Sequence, residues 1–312
     1  MALHRLASVV IGVPNVEETA RYYTDFGLMP VDTGVEGERV FRTVDGGEQL
    51  RLVRTPFRRL VQFTVGADDQ DDLGRVSDRL TRLGLPADLR ADGLTTVEPA
   101  TGIRATVAVL PRLDQPRVPA TRYNGPGRLE RIGARAPGVV RTGPVRPRKL
   151  GHVVIGTPDL AVTERFFIDG LGFKLSDRIA GAGAFMRCST DHHNVLVLSA
   201  PVAFLHHTSW QVDDIDEIGR GAMAMLEDHP ERHVWGLGRH HAGSNFFWYL
   251  KDPAGNFSEY YSDMDSILDD QLWTPETLEG AKGLFNWGPP PPPSFIKPED
   301  LAALMTGAHS GA

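Results

Sequence analysis

Short apolar runs with strand-like alternation and longer amphipathic stretches with helix-like spacing succeed one another along most of the chain. In the second half the apolar positions predict strands near 150–156, 184–188, 194–199, 205–212, 244–251 and 257–261. Spacings of three and four residues predict helices over 159–169 and 213–227, with Asp159 and Asp213 standing where N-caps belong. This order describes two βαβββ modules per half, four in all. The fold class is α+β, with two tandem domains that each form a curled mixed sheet. After Tyr261 an acidic segment reads as helical, and FNWGPPPPPSFIKPED brings five consecutive prolines that favour polyproline II. That tail is expected to be a covering arm.

An internal repeat supports the division into halves. RLASVVIGVPNV (5–16) lies over KLGHVVIGTPDL (149–160) at an offset of 144. One extra residue near Gly170 changes the offset to 145. FGLMPVD (26–32) then matches LGFKLSD (171–177), and DDQDDLGR (68–75) matches DDIDEIGR (213–220). EPATG (98–102) resembles DPAG (252–255) with one residue added. The expected boundaries are a first domain over 1–125, a Pro/Gly-rich basic linker over 126–148, a second domain over 149–265 and the arm over 266–312.

Composition narrows the function classes. A length of 312 residues, 41% of them hydrophobic and 23% charged, fits two soluble domains with cores of their own. No apolar run is long enough to span a bilayer and no secretory leader is evident, so a cytoplasmic protein without a membrane partner is expected. The net charge of −7 argues against nucleic acid as a partner. The exception is 111–149, where nine Arg and one Lys face only Asp114 and Glu130; this stretch reads as a solvated linker lying on acidic domains. The single cysteine, Cys188, excludes an internal disulfide and reads as a small core residue.

Three polar residues interrupt predicted strands on the face that a curled sheet makes concave: His152, His207 and Glu259. His152 shares its face with Val154 and Gly156, and His207 shares its face with Ser209 and Gln211. His206, one residue earlier, should point outward. Each residue alone is an ordinary edge or surface residue more often than a metal ligand. The repeat supplies a control, because the equivalent positions of the first half hold Ser8, Gln62 and, with Thr101 gapped, Thr106. All three donors are missing together, which points to one metal-bearing and one vacant domain. Two imidazoles and a carboxylate form the facial set that leaves coordination positions open; it suits non-haem Fe(II), although Zn(II), Mn(II) or Ni(II) accept the same donors.

With these residues in place, the chain resembles the two-domain type I extradiol ring-cleaving catechol dioxygenases of the vicinal oxygen chelate superfamily, over roughly 3–265. The most specific segment is GLGRHHAGSNFFWYLKDPAGNFSEYYSD (236–263), and the chain looks most similar to the trihydroxytoluene oxygenase type. The resemblance implies a glyoxalase-like fold, Fe(II) with Mn(II) as the alternative, and His152, His207 and Glu259 as ligands. It further implies His193 as the acid/base, and His240 and Tyr249 beside the substrate oxygens. The neighbours His192 and His241 compete for the first two of these roles. The implied reaction inserts both atoms of dioxygen next to the diol of a catechol and gives a muconic semialdehyde-type product. A homo-oligomer is expected.

Two other classes compete. A glyoxalase-like isomerase or thiol transferase needs no dioxygen and none of His193, His240 and Tyr249. An aromatic-ligand binding or resistance protein commonly lacks the full donor set. Phe185, Phe247, Trp210 and Trp248 are candidate aromatic walls, but alternation places Trp210 and Trp248 on the face opposite His207 and Tyr249, where they read equally well as core.

Overall fold

In the computed structural model, residues 3–306 are described. The first half contributes β1 (Leu3–Val13), β2 (Met29–Val31), β3 (Glu38–Thr43), β4 (Gly47–Arg54), β5 (Arg59–Ala67), β6 (Ala87–Leu89), β7 (Gly93–Val97) and β8 (Arg104–Val109). They form one sheet in the order β2-β3-β4-β1-β5-β8-β7-β6. The second half contributes β9 (Lys149–Thr157), β10 (Lys174–Ile179), β11 (Gly183–Arg187), β12 (Val195–Ser199), β13 (Phe204–Gln211), β14 (His233–Arg239), β15 (Phe246–Lys251), β16 (Phe257–Ser262) and β17 (Thr277–Leu278). Their order is β14-β15-β16-β13-β9-β12-β11-β10-β17. Helices Val16–Asp25, Gln70–Arg82, Leu160–Arg165 and Ile215–Leu226 follow the first strand of each of four βαβββ modules, as the pattern predicts.

Several local expectations need correction. The short strands β10 and β14 carry too many polar residues and glycines to stand out as apolar runs, and the apolar pattern predicts neither. The cap of helix Ile215–Leu226 is Asp214, whose side chain accepts from the Glu217 backbone N–H; Asp213 instead pairs with Arg148. The acidic segment after Tyr261 is not a helix. It holds two single 3₁₀ turns, Asp270–Leu272 and Gly280–Gly283, and the strand β17 that extends the second sheet. Its polar groups tie it to that sheet: Asp270 accepts from Arg187, and the Trp273 indole N–H donates to the Ser176 carbonyl. Within the proline run, Pro292 has φ −67° and ψ 153°, values of polyproline II, before one helical turn at Pro293–Ile296.

The extra residue near Gly170 has a structural form. Where the first half has a regular helix, the second widens into a π-helical segment, Phe166–Leu171, that absorbs the insertion. Both copies then end on a glycine in the left-handed region, Gly27 at φ 98° and Gly172 at φ 89°, so the chain re-enters its sheet in the same way.

One hydrophobic cluster runs through both halves, from Leu3 to Tyr260, and includes the buried Cys188. Phe26 stacks on Tyr260 with ring centroids 3.9 Å apart, and the Tyr260 hydroxyl donates to the Phe26 carbonyl at 2.6 Å. Phe63 stacks on Phe167 at 5.4 Å. The basic linker lies on acids of the second half, with Arg141 bound to Asp214 and Glu217. Among the described residues no helix is long and apolar enough to cross a membrane. Because Phe26 is fully buried where the halves meet, Phe26→Ala should lower unfolding stability by about 3–5 kcal/mol. Urea denaturation checks this; a loss under about 1 kcal/mol would mean that the halves do not depend on this contact.

Candidate metal centre and active site

Strand pairing places the candidate donors in one row across the second sheet. His152 of β9 lies opposite Ser209 of β13, Ser209 opposite Glu259 of β16, and Glu259 opposite Tyr249 of β15. Cross-strand neighbours point to the same face, so His152, Glu259 and Tyr249 converge on the side away from the main core. Ser209 is the small residue between two large donors. His207 lies two residues before it on the same strand. The corresponding row in the first sheet, from the same pairings, is Ser8, Thr64, Thr106 and Thr95. The register thus confirms Ser8 as the counterpart of His152 and Thr106 as that of Glu259.

The geometry fits a divalent ion. Glu259 Oε2 stands 3.1 Å from His152 Nε2 and 3.6 Å from His207 Nε2, and the two imidazole nitrogens are 3.4 Å apart. Adjacent donors at bond lengths of about 2.0–2.2 Å around one first-row ion have such separations. Glu259 is fully buried. Its Oε1 accepts from the Asn245 side chain at 3.1 Å, whereas Oε2 has no hydrogen-bond partner. A buried carboxylate oxygen without a donor is costly, and a cation between it and two ring nitrogens removes that cost. Burial pushes the Glu259 carboxyl up, but His152 and His207 beside it hold it well below the usual carboxylate range. Burial, reinforced by neighbouring histidines, lowers His193 and His207 well below the usual imidazole range, so both rings are neutral at pH 7.

The two histidine donors line a cavity of about 490 Å³, and Glu259 is buried beside them. His193, His240 and Tyr249 line it with His152 and His207. His240 Nε2 is 2.8 Å from the Tyr249 hydroxyl and 3.7 Å from Glu259 Oε1. Burial and the Glu259 charge keep the phenol well above its ordinary pKa, so it is a hydrogen-bond donor. Of the adjacent-histidine pairs, His193 lines the cavity and His192 stands behind it, bonded to Asp177 at 3.0 Å. His241 is half-buried and faces Glu276. Phe185 is a wall. Phe247 instead stacks on His240 at 4.1 Å, and Trp210 is core against Tyr23. Trp248 packs at the edge of that core, away from the cavity.

His206 corrects the expectation that it faces outward. A bulge in the β13–β9 pairing between Leu205 and His207 breaks the alternation, and His206 is buried. Its Nε2–H donates to the Phe295 carbonyl at 2.6 Å, and its Nδ1 is 2.7 Å from Nδ1 of His207. Burial lowers its pKa to about 4. Asn245, His206, Asp177 and Phe295 were missed as site residues. Only the His206-His207 doublet gave a signal for any of them.

The family described as Glyoxalase/Bleomycin resistance protein/Dioxygenase superfamily matches residues 149–260. Metapyrocatechase 2 of Cupriavidus necator is 30% identical over 95% of this chain and 92% of its own length. The chain belongs to the extradiol dioxygenases. Other extradiol dioxygenases share part of its length: a manganese-dependent 2,3-dihydroxybiphenyl 1,2-dioxygenase of Geobacillus genomosp. 3 is 29% identical over 46% of this chain and 50% of its own. An iron-dependent extradiol dioxygenase of Rhodococcus jostii is 28% identical over 40% of this chain and 46% of its own. The solved structure of BphC, a halotolerant catechol dioxygenase, shares the fold with a TM-score of 0.74 at 20% identity, over 93% of this chain and 95% of its own. In this extradiol dioxygenase the Asn245 amide holds Glu259 in place. Asn245→Ala should therefore weaken metal binding by roughly 10–100-fold with little change in melting temperature. Chelator competition measures it, and an unchanged affinity would remove Asn245 from the site.

Proposed function

We propose that the protein opens the ring of a catechol beside its diol with dioxygen, and that this catechol carries an uncharged, apolar substituent. The reading rests chiefly on one observation: the two imidazoles of a two-histidine, one-carboxylate donor set open into a cavity whose walls, beyond its histidines and Tyr249, are mostly apolar. His152, His207 and Glu259 would hold one Fe(II), or Mn(II) in its place. When bound, that ion would supply Lewis acidity toward the catechol oxygens and a path for electrons from the ring to dioxygen.

The chain's own residues do the rest. His192 Nε2–H donates to Asp177, so in the neutral ring Nδ1 accepts from His193 Nδ1–H at 3.0 Å. That leaves Nε2 of His193 as its free nitrogen, suited to take a proton from a catechol hydroxyl and return it as the ring opens. The Tyr249 hydroxyl and His240 orient the second oxygen and steady its charge. Val154, Ile179, Leu196, Leu198 and Phe204 exclude water and surround the substituent. Lys297, exposed at the edge, is the one lysine or arginine of the lining, so a carboxylate deeper in would be buried unpaired.

The experiment is anaerobic loading with Fe(II) followed by oxygen uptake on a panel of catechols. Alkyl- and aryl-substituted catechols should exceed carboxylate-bearing ones in kcat/KM by on the order of 10²-fold or more. His193→Phe should keep the ion and lower kcat by about 10²–10⁴-fold. Iron-loaded protein that consumes no oxygen with any catechol would defeat the reading, and equal use of carboxylated substrates would defeat its substrate class.

A further inference from the structure

The arm that follows β16 does more than cover the cavity: it supplies polar partners to three separate histidine systems. The Glu276 backbone N–H donates to Asp177 Oδ1 at 2.8 Å, fixing the carboxylate whose other oxygen orients His192 and, through it, His193. The Leu284 carbonyl accepts from His240 Nδ1–H, so in the neutral ring Nε2 is left to accept from the Tyr249 hydroxyl. The Phe295 carbonyl accepts from His206 Nε2–H. A carbonyl can only accept, so the neutral His206 ring must present a bare Nδ1, which takes the proton of His207 Nδ1. His207 is thereby fixed in the tautomer whose Nε2 lone pair faces Glu259. Arm backbone thus sets ring orientation at a ligand, at the acid/base and at the substrate-side histidine.

One residue of the vacant half fastens this arm. Arg58, in the turn between β4 and β5, is 2% exposed and donates through Nε and Nη2 to both carboxylate oxygens of Asp300 at 2.6 and 2.8 Å. Its Nη1 donates to the Leu205 carbonyl at 2.5 Å, immediately before His206, and to Asn256 Oδ1 at 3.3 Å. The guanidinium therefore joins the end of the arm to the strand that carries His207. By the repeat, the equivalent position of the second half is Ala203, so the arginine serves no duty common to both copies. We infer that Arg58 is a positioning residue of the active site, acting through Asp300 and the arm on His206 and His207. This rests on the roles given above to the histidines, and it assigns the vacant half a part in the site.

Two variants of the full chain test it. Asp300→Asn keeps the shape and removes the ion pair. A site-specific protease sequence inserted after the exposed Pro290 lets the end of the arm, with Phe295 and Asp300, be cut away once the protein has folded. Metal affinity by chelator competition, and imidazole ¹⁵N spectra of the Zn(II)-loaded protein, are read beside kcat and KM at saturating iron. Asp300→Asn should weaken metal binding roughly 10-fold or more and lower kcat about 10-fold, with Arg58→Lys intermediate. Cutting should abolish the single-tautomer signature of His206 and leave that of His240, whose Leu284 partner precedes the cut. Unchanged affinity, kcat and ¹⁵N pattern in either variant would overturn the inference. The affinity and the spectra need no turnover, so they judge the latch even if no catechol is cleaved. Should Asp300→Asn fail to fold, the cut protein alone decides.

Discussion

A fully buried carboxylate with one oxygen left unpartnered between two imidazoles is the constraint around which the second half is organised. Glu259 is carried inside by a strand buried along its whole length, and Asn245 satisfies only one of its oxygens. Such an arrangement is unfavourable for the apoprotein and favourable once a cation occupies it. The surroundings are built to preserve that imbalance. Small Ser209 separates the donors, Gly151 leaves room for the Tyr261 ring beside His152 where a Cβ would lie 2.1 Å from the phenol oxygen, and His206 and His192 back His207 and His193.

The duplication shows what the site requires by displaying its absence. Both sheets use the same pairing, and both keep an amide at the start of the fourth strand: Gln49 donates to the Ala7 carbonyl, and Asn194 donates to the Gly151 carbonyl. The scaffold is therefore common to both copies. On that scaffold a row of hydroxyl residues stands in one half, and a row of imidazole, hydroxyl, carboxylate and phenol stands in the other. Chemistry was added or lost on one face while the face toward the shared core kept its Val, Ile and Leu residues. The first half is not detached from the arm that follows β16, since its Arg58 reaches across to Asp300.

Much of this was legible in the sequence because the relevant signals are local. Strand alternation put His152, His207 and Glu259 on one face, and the repeat gave their counterparts without any structure. The π-helical turn was visible as a single inserted residue. What escaped has physical reasons. The bulge after Leu205 cancels alternation at His206, the residue that alternation turned outward. Leu284 and Phe295 act through backbone carbonyls, which leave no mark on residue type. Arg58 and Asp300 are 242 positions apart, and nothing local to either marks it as a partner. Acid-rich composition after Tyr261 suggested a helix, but those acids and their backbone are bound to Arg187, Asp177 and β10, and tertiary pairing outweighs propensity there.

The central claim is that one metal-binding site exists per chain, in the second half, and that Glu259 completes it. Anaerobic titration of the metal-free protein with Fe(II), counting tightly bound ions per chain, tests it most directly. The account predicts one ion for the wild type, one for the Ser8→Ala/Gln62→Ala double variant, and none held tightly by Glu259→Ala. A second ion that disappears with Ser8 and Gln62, or one still held tightly without Glu259, would contradict it.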